Sequence, residues 1–306
     1  MKAVVVHQYG GPEVLKFEEY PDPIPGAGEV LVRVAATSIN PFDIMRRSGS
    51  AKDVAPIKFP GIVGVDVSGT ILKIGPRVEG FSIGDRVFAM ADQTYAELCL
   101  VKATTLAKIP EELDVADAAA LPLVTTTGNE LITVGTGVRT GQTVLVAGAV
   151  GNVGRSAVFT AKARGAVVIA GVLKRQLQEA ASLGAEQVVA TDDDNAVANL
   201  QPLNAVADTV GGKTAEKLIA KVKQGGVFAS VLGTPQNAQE YPTVKVVPVY
   251  AQPDTKVLLY MAQAVKDGKL VIPIGQRLPL RDAEKAHAAA AKGGVGKLLL
   301  LADEGR

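Results

Sequence analysis

The chain contains no tryptophan, one cysteine (Cys99) and two histidines (His7 and His287). Each scarcity excludes something. One cysteine forms no internal disulfide, so the fold stands without a covalent framework and suits a reducing compartment. A zinc site gathers about three or four Cys, His or carboxylate ligands in one place, and these three residues are far apart in sequence. No metal is expected. An excess of one charge is missing too. The 32 basic and 31 acidic residues are well mixed, leaving no basic stripe for nucleic acid. No uncharged run reaches the roughly 18 residues of a membrane helix. The opening MKAVVVHQYGGPEVL lacks the long apolar region and small-residue cleavage site of a secretory signal. Neither nucleic acid nor membrane is an expected partner, and a cytoplasmic location is expected.

What is abundant points to a packed fold. Apolar residues make up 47% of the 306 positions and aromatics only 4%, with 32 glycines. That suits a tightly packed α/β protein of one large domain or two ordinary ones. The first hundred or so residues read as short β-branched runs, such as EVLVRVAAT and VDVSGTILKIG. Turn clusters such as PDPIPGAGE separate them, a strand-and-turn rhythm that predicts a β-rich, partly closed, barrel-like domain. Near residue 115 the rhythm changes, with helical stretches broken at Pro122. From residue 143 apolar strands alternate with helices: TVLVAG, GNVGRSAVFTAKARG, AVVIAGV, KRQLQEAASLG, EQVVA, NAVADTV, KTAEKLIAKVKQGG and VFASVLG. This alternation predicts a doubly wound parallel sheet covered on both faces. An amphipathic helix, DTKVLLYMAQAVKDGKL, follows, then a strand-like VIPIGQRLPL, an Ala-rich helix and a last strand, GKLLLLA.

One turn carries chemistry. Gly148, Gly151 and Gly154 in VLVAGAVGNVGRSAV lie where a buried strand passes into a helix. Small residues there let the backbone approach a pyrophosphate, and the helix N-terminus offers free N–H groups. A glycine-rich turn without a ligand is the alternative on the motif alone. The flanking β-α-β-α-β run favours the dinucleotide. An NAD site carries Asp or Glu at the end of the second strand, about 20 residues on. Here VVIAGVLKRQ has no acid before Glu179, and Lys174 and Arg175 stand there instead. Two cations attract the 2′-phosphate of NADPH. Alternatively they are solvated residues opening a helix, although cations oppose the dipole at that end.

Taken together, the motifs resemble those of a zinc-independent medium-chain dehydrogenase/reductase of the quinone oxidoreductase (zeta-crystallin-like) branch. The resemblance runs nearly end to end: TSINPFDIMRRSG, FPGIVGVDVSGTI, GDRVFAM, AAALPLVTTTGNELI, DTVGG, GGVFASVLG and LRDAEKAHAAAAKGGVGKLLL. It implies a Rossmann NADP-binding domain over 122–269 and a GroES-like catalytic domain over 1–121 and 270–306. It also implies NADPH as cofactor and hydride delivery to a small-molecule quinone or α,β-unsaturated carbonyl. Asn40, Val65 and Leu123 stand where zinc-dependent relatives hold their catalytic metal, so the resemblance implies a metal-free reaction. It implies cofactor contacts from Asn40, Thr127, Gly148, Ala149, Val150, Gly151, Asn152, Val153, Gly154, Gly171, Lys174, Arg175, Thr191, Leu232 and Gly233. TVKVVPVY has the character of an unpaired strand, where relatives join edge to edge, so a homodimer is expected.

Asn40, Asp43 and Thr127 are the candidate catalytic residues, each with a structural alternative. Asn40 before a proline suits an Asx-turn. Asp43 suits a helix cap. The Thr127 hydroxyl is either at the nicotinamide ribose or satisfied by backbone. The general acid stays unassigned, since Met45 and Asn129 stand where relatives carry aromatic residues. His7 and His287 read as structural or surface residues, Cys99 as a buried small hydrophobe, and TDDDN at 191–195 as a solvated loop or helix start. Two other readings stand: an NADPH-binding sensor or interaction protein with little turnover, and a zinc-free alcohol dehydrogenase.

Overall fold

The computed structural model describes residues 1–294 and 296–302. The chain forms two compact units. The first comprises Met1–Leu123, Pro253–Gly268 and the described residues from Ile272 onward; the second comprises Val124–Gln252 and Lys269–Val271. Strands β1 (Lys2–Val6), β2 (Lys16–Glu19), β3 (Glu29–Ser38), β4 (Gly61–Ile62), β5 (Asp66–Ile74), β6 (Arg86–Met90), β7 (Leu98–Lys102) and β8 (Leu106–Lys108) lie in the first unit. The second holds β9 (Thr143–Ala147), β10 (Val167–Val172), β11 (Gln187–Ala190), β12 (Leu203–Asp208), β13 (Val222–Ser230) and β14 (Lys245–Pro248). β15 (Ile274–Pro279) and β16 (Lys297–Leu301) return to the first. The helices are α1 (Pro41–Ser48), α2 (Pro122–Glu130), α3 (Asn152–Ala163), α4 (Leu177–Ala181), α5 (Asp194–Ala198), α6 (Gly212–Ile219), α7 (Thr255–Lys266) and α8 (Ala283–Ala290).

In the first unit the larger sheet runs β15-β16-β3-β5-β6-β8, with β7 also on β3; a smaller sheet runs β2-β1-β4. β3 meets β16, β5 and β7 along its length, so nearly all of it is buried. The expected barrel does not close: among the described residues the ladder ends at β15 and β8.

The second unit is one parallel sheet in the order β11-β10-β9-β12-β13-β14. Alternate residues of its strands feed two cores. Val144, Val146, Val168 and Ala170 pack with Ala157, Val158 and Ala161 of α3 on one face. Leu145, Ala147, Ile169 and Val206 pack with Leu218 and Ile219 of α6 on the other. A strand buried on both faces has no reason to alternate apolar with polar, which is why these strands read as continuous apolar runs. The chain order reverses between β9 and β12, the switch point where such sheets bind ligands beyond their strand C-termini.

Two expected boundaries move. α6 stops at Ile219, and β13 starts at Val222 rather than Val227. Buried Val222 pairs with Leu203, and a register shift absorbs the extra residues before Ala205 meets Val227. α7, expected with the nucleotide domain, groups with the first unit and neighbours β8, burying Leu258, Met261 and Ala262. Among the described residues no helix is long and apolar enough to cross a membrane.

Candidate active site

The glycine turn after β9 is clipped to its neighbour strand. Gly148 N and Ala149 N both donate to Gly171 O, at 2.8 and 3.1 Å. Gly148 has φ of +74°, a left-handed conformation that disfavours any side chain. α3 begins at once, with Gly151 as its N-cap and no side chain capping it. The first N–H groups of a helix have no intrahelical partner, a geometry that can receive an anion. A Cβ on Gly154 would lie 2.1 Å from Gly148 O, so only glycine lets α3 pack this tightly under the turn. These residues fit a pyrophosphate. Ser156 Oγ donates to Thr125 O at 2.9 Å, which seats α2, carrying the nearly buried Thr127, against α3.

Arg155, which sequence reading passed over, braces the same turn. Its guanidinium is nearly buried, donates from Nε to Val150 O at 2.9 Å and pairs with Glu179 at 2.5 Å. An arginine amid small apolar helix residues was the available signal.

The other expected cofactor residues of this unit lie at the C-terminal ends of its strands. Lys174 and Arg175 form an exposed 3₁₀ turn after β10. Neither makes an ion pair among the described residues. Lys174 N donates to Asp192 Oδ1 at 2.7 Å. Thr191 is buried and donates from Oγ1 to Val172 O at 3.2 Å. Leu232, 57% exposed, and Gly233 follow β13; Leu232 N donates to Ser230 Oγ, which itself donates to buried Asp208.

The first unit holds a buried polar cluster. Asp43 caps the start of α1: Asn40 N donates to Asp43 Oδ2 at 2.8 Å, and Asp43 N donates to the Asn40 backbone carbonyl at 3.0 Å. The Asn40 amide turns inward, its Nδ2 donating to Asp43 Oδ2 and Asp66 Oδ2 at 3.2 and 2.9 Å, its Oδ1 accepting from Lys297 Nζ. Asp66 also accepts from Ser38 Oγ at 2.5 Å and, through Oδ1, from Leu123 N at 2.8 Å. Asp66 thus ties together Asn40, Leu123 and the chain beside Val65, the three positions that the resemblance implies for the metal of zinc-dependent relatives. An amide and two aliphatic side chains ligate no zinc, and no group of three or more His, Cys, Asp or Glu among the described residues is arranged to hold a metal.

Burial and the neighbouring Asp66 charge push Asp43 up to about 7, and its Oδ1 has no hydrogen-bond partner among the described residues. Burial pushes Lys297 down, opposed by Asp66 and Asp43. Beyond Asp43, the Tyr95 hydroxyl lies 3.0 Å from His287 Nε2, and Arg47 lies 3.4 Å from its Nδ1. Burial and the Arg47 charge push His287 down to about 3, so it is a neutral structural histidine. His7 is exposed and pairs with Glu18 at 2.8 Å. Burial pushes Cys99 up to about 12, which leaves no thiolate. A cavity of about 490 Å³ in this unit is lined by Tyr20, Ile62, Val65, Met90, Asp92 and Cys99, among others.

Comparison with known proteins accords with this geometry. Residues 26–111 match the alcohol dehydrogenase GroES-like domain and residues 183–300 the zinc-binding dehydrogenase model. A chloroplast envelope quinone oxidoreductase homolog of Arabidopsis thaliana is 30% identical over 98% of each chain. An NADPH-dependent alkenal/one oxidoreductase from the same plant is 31% identical over 76% of this chain and 63% of its own. The solved quinone oxidoreductase of Coxiella burnetii superposes with a TM-score of 0.88 at 30% identity, over 98% of this chain and 99% of that one. Fold and matches define a two-unit oxidoreductase of the alcohol dehydrogenase type. The chain belongs to the medium-chain dehydrogenase/reductase family, in its quinone oxidoreductase branch.

Proposed function

We infer that this protein uses NADPH to reduce a quinone or an α,β-unsaturated carbonyl without a metal. The observation that carries the cofactor choice is the pair of exposed cations, Lys174 and Arg175, without an ion pair among the described residues, at the same C-terminal end of the sheet as an uncapped helix N-terminus. The reduced nicotinamide supplies hydride when bound. The protein's task is to hold the phosphates at the Gly148–Gly154 turn, orient the ring and exclude water. The NADPH-dependent alkenal/one relative supports both halves of the reading.

With an amide and two aliphatics at the metal positions, no Lewis acid polarises the acceptor. The acceptor must already be electron-poor. Asn40 and Asp43, bonded to each other inside the first unit through Asp43 Oδ2, act as positioning residues, and Thr127 faces the nicotinamide ribose. A quinone takes its proton from water; an enone needs a donor more. The edge strand β14 offers an unpaired ladder for a second copy, so the working form is a homodimer.

Titration with NADPH and NADH tests the cofactor. NADPH should bind tighter, and K174A/R175A should weaken it by about tenfold or more, the scale of two lost charge-assisted contacts. Much tighter NADH binding, or an unaffected double variant, would sink the assignment. A scan of NADPH oxidation against several quinones and enones tests turnover. Tight NADPH binding with no turnover on any of them favours the sensor reading, which the exposed Met45, standing where some relatives have tyrosine, also favours.

A further inference from the structure

β10 and β11 are parallel neighbours, with Val172 opposite Ala190. Lys174 and Asp192 each lie two residues beyond those partners, so they leave the sheet side by side. Asp192 Oδ1 accepts the Lys174 N–H at 2.7 Å. Its side chain is exposed, and its second oxygen has no hydrogen-bond partner among the described residues. NAD-type sites place a carboxylate at the end of the second strand to accept the ribose hydroxyls. β10 carries no acid of its own there, but the neighbouring strand brings one within hydrogen-bond reach of the backbone at its tip.

Resting on the dinucleotide reading above, we propose that Asp192 is a specificity-determining residue that opposes Lys174 and Arg175. Its carboxylate accepts the adenosine ribose hydroxyls of NADH. Against NADPH it acts twice: it repels the 2′-phosphate, and it occupies a backbone N–H that the phosphate would otherwise take. The two cations pull the other way. The chain therefore discriminates between the two dinucleotides less sharply than its Lys-Arg pair alone would dictate.

The test is calorimetric titration of the full chain, and of Asp192→Asn and Asp192→Ala, with NADPH and NADH at fixed ionic strength. The exposed position and unchanged circular dichroism keep folding out of the comparison. Both variants should bind NADPH about fivefold tighter, the scale of one exposed charge repulsion removed. Both should bind NADH about threefold or more weakly, the loss of a ribose contact. Opposite signs are the signature, because a merely structural residue moves both affinities together. Shifts in the same direction, or none beyond about twofold, overturn the proposal. K174A/R175A separates the two readings. If it leaves NADPH affinity unchanged while the Asp192 variants shift the cofactors oppositely, the phosphate assignment fails and the acid's role stands. If neither dinucleotide binds the unaltered chain, both fall.

Discussion

Lys297 Nζ lies 3.4 Å from Asp66 Oδ2, with both side chains buried. Such a pair gains little over an apolar core, but removing one partner strands the other charge. Lys297→Met should therefore destabilise the protein by about 3–5 kcal/mol. The double variant K297M/D66N should recover part of that loss, since no bare carboxylate remains. Urea unfolding of the single and double variants checks it; a double variant no more stable than K297M would show that the charge is not the cause.

Asp43 gives the first unit a pH dependence of known sign. Its ordinary value is 3.8 and its folded value about 7, with burial the main cause. Between those values the folded chain holds a proton that the unfolded chain has released. Stability from this group therefore falls as pH rises from about 4 to about 7 and is level above. Asp43→Asn does not titrate, and its oxygen can still accept the Asn40 N–H. Relative to the unaltered chain it should gain on the order of 2–3 kcal/mol between pH 5 and pH 8. Equal differences at the two pH values, by denaturant unfolding, would contradict this.

The turn after β9 is tested most directly at Gly154. A methyl there would meet the Gly148 carbonyl oxygen at 2.1 Å, and α3 must retreat. Gly154→Ala should cost about 1–3 kcal/mol, as overpacking does, and weaken NADPH and NADH alike by about tenfold or more, because both share the pyrophosphate. An affinity within about twofold of the unaltered chain would place the dinucleotide elsewhere.

Arg155 holds Val150 O and Glu179 with one guanidinium. Lysine cannot reproduce that fork. R155M and R155K should both weaken dinucleotide binding by about fivefold, the scale of one lost hydrogen bond. Calorimetry that finds R155K equal to the unaltered chain would show that charge alone suffices.

The strand-helix alternation and the glycine turn were legible because both are local. A strand buried on two faces writes itself as an apolar run, and α3 needs Gly154 whatever lies elsewhere. The capping role of Asp43 was legible for the same reason, its partner being three residues away. Asp66 and Lys297 were not. Nothing near Lys297 marks it as buried, and its partners come from β5 and the start of α1. The grouping of α7 with the first unit was not legible either, because amphipathicity says that a helix has a buried face, not which unit covers it.

By itself the sequence determined the doubly wound unit, the glycine turn after β9 and the unsuitability of Asn40, Val65 and Leu123 as zinc ligands, since periodicity, backbone freedom and ligand chemistry belong to the residues. Only the tertiary structure decided what joins Asn40 to Leu123, an Asp66 junction closed by Lys297, and what stands at the tip of β10. Read along the chain, that tip has two cations and no acid. Folded, parallel pairing of β10 with β11 brings Asp192 to Lys174, because a sheet sets side by side residues that the chain keeps eighteen positions apart.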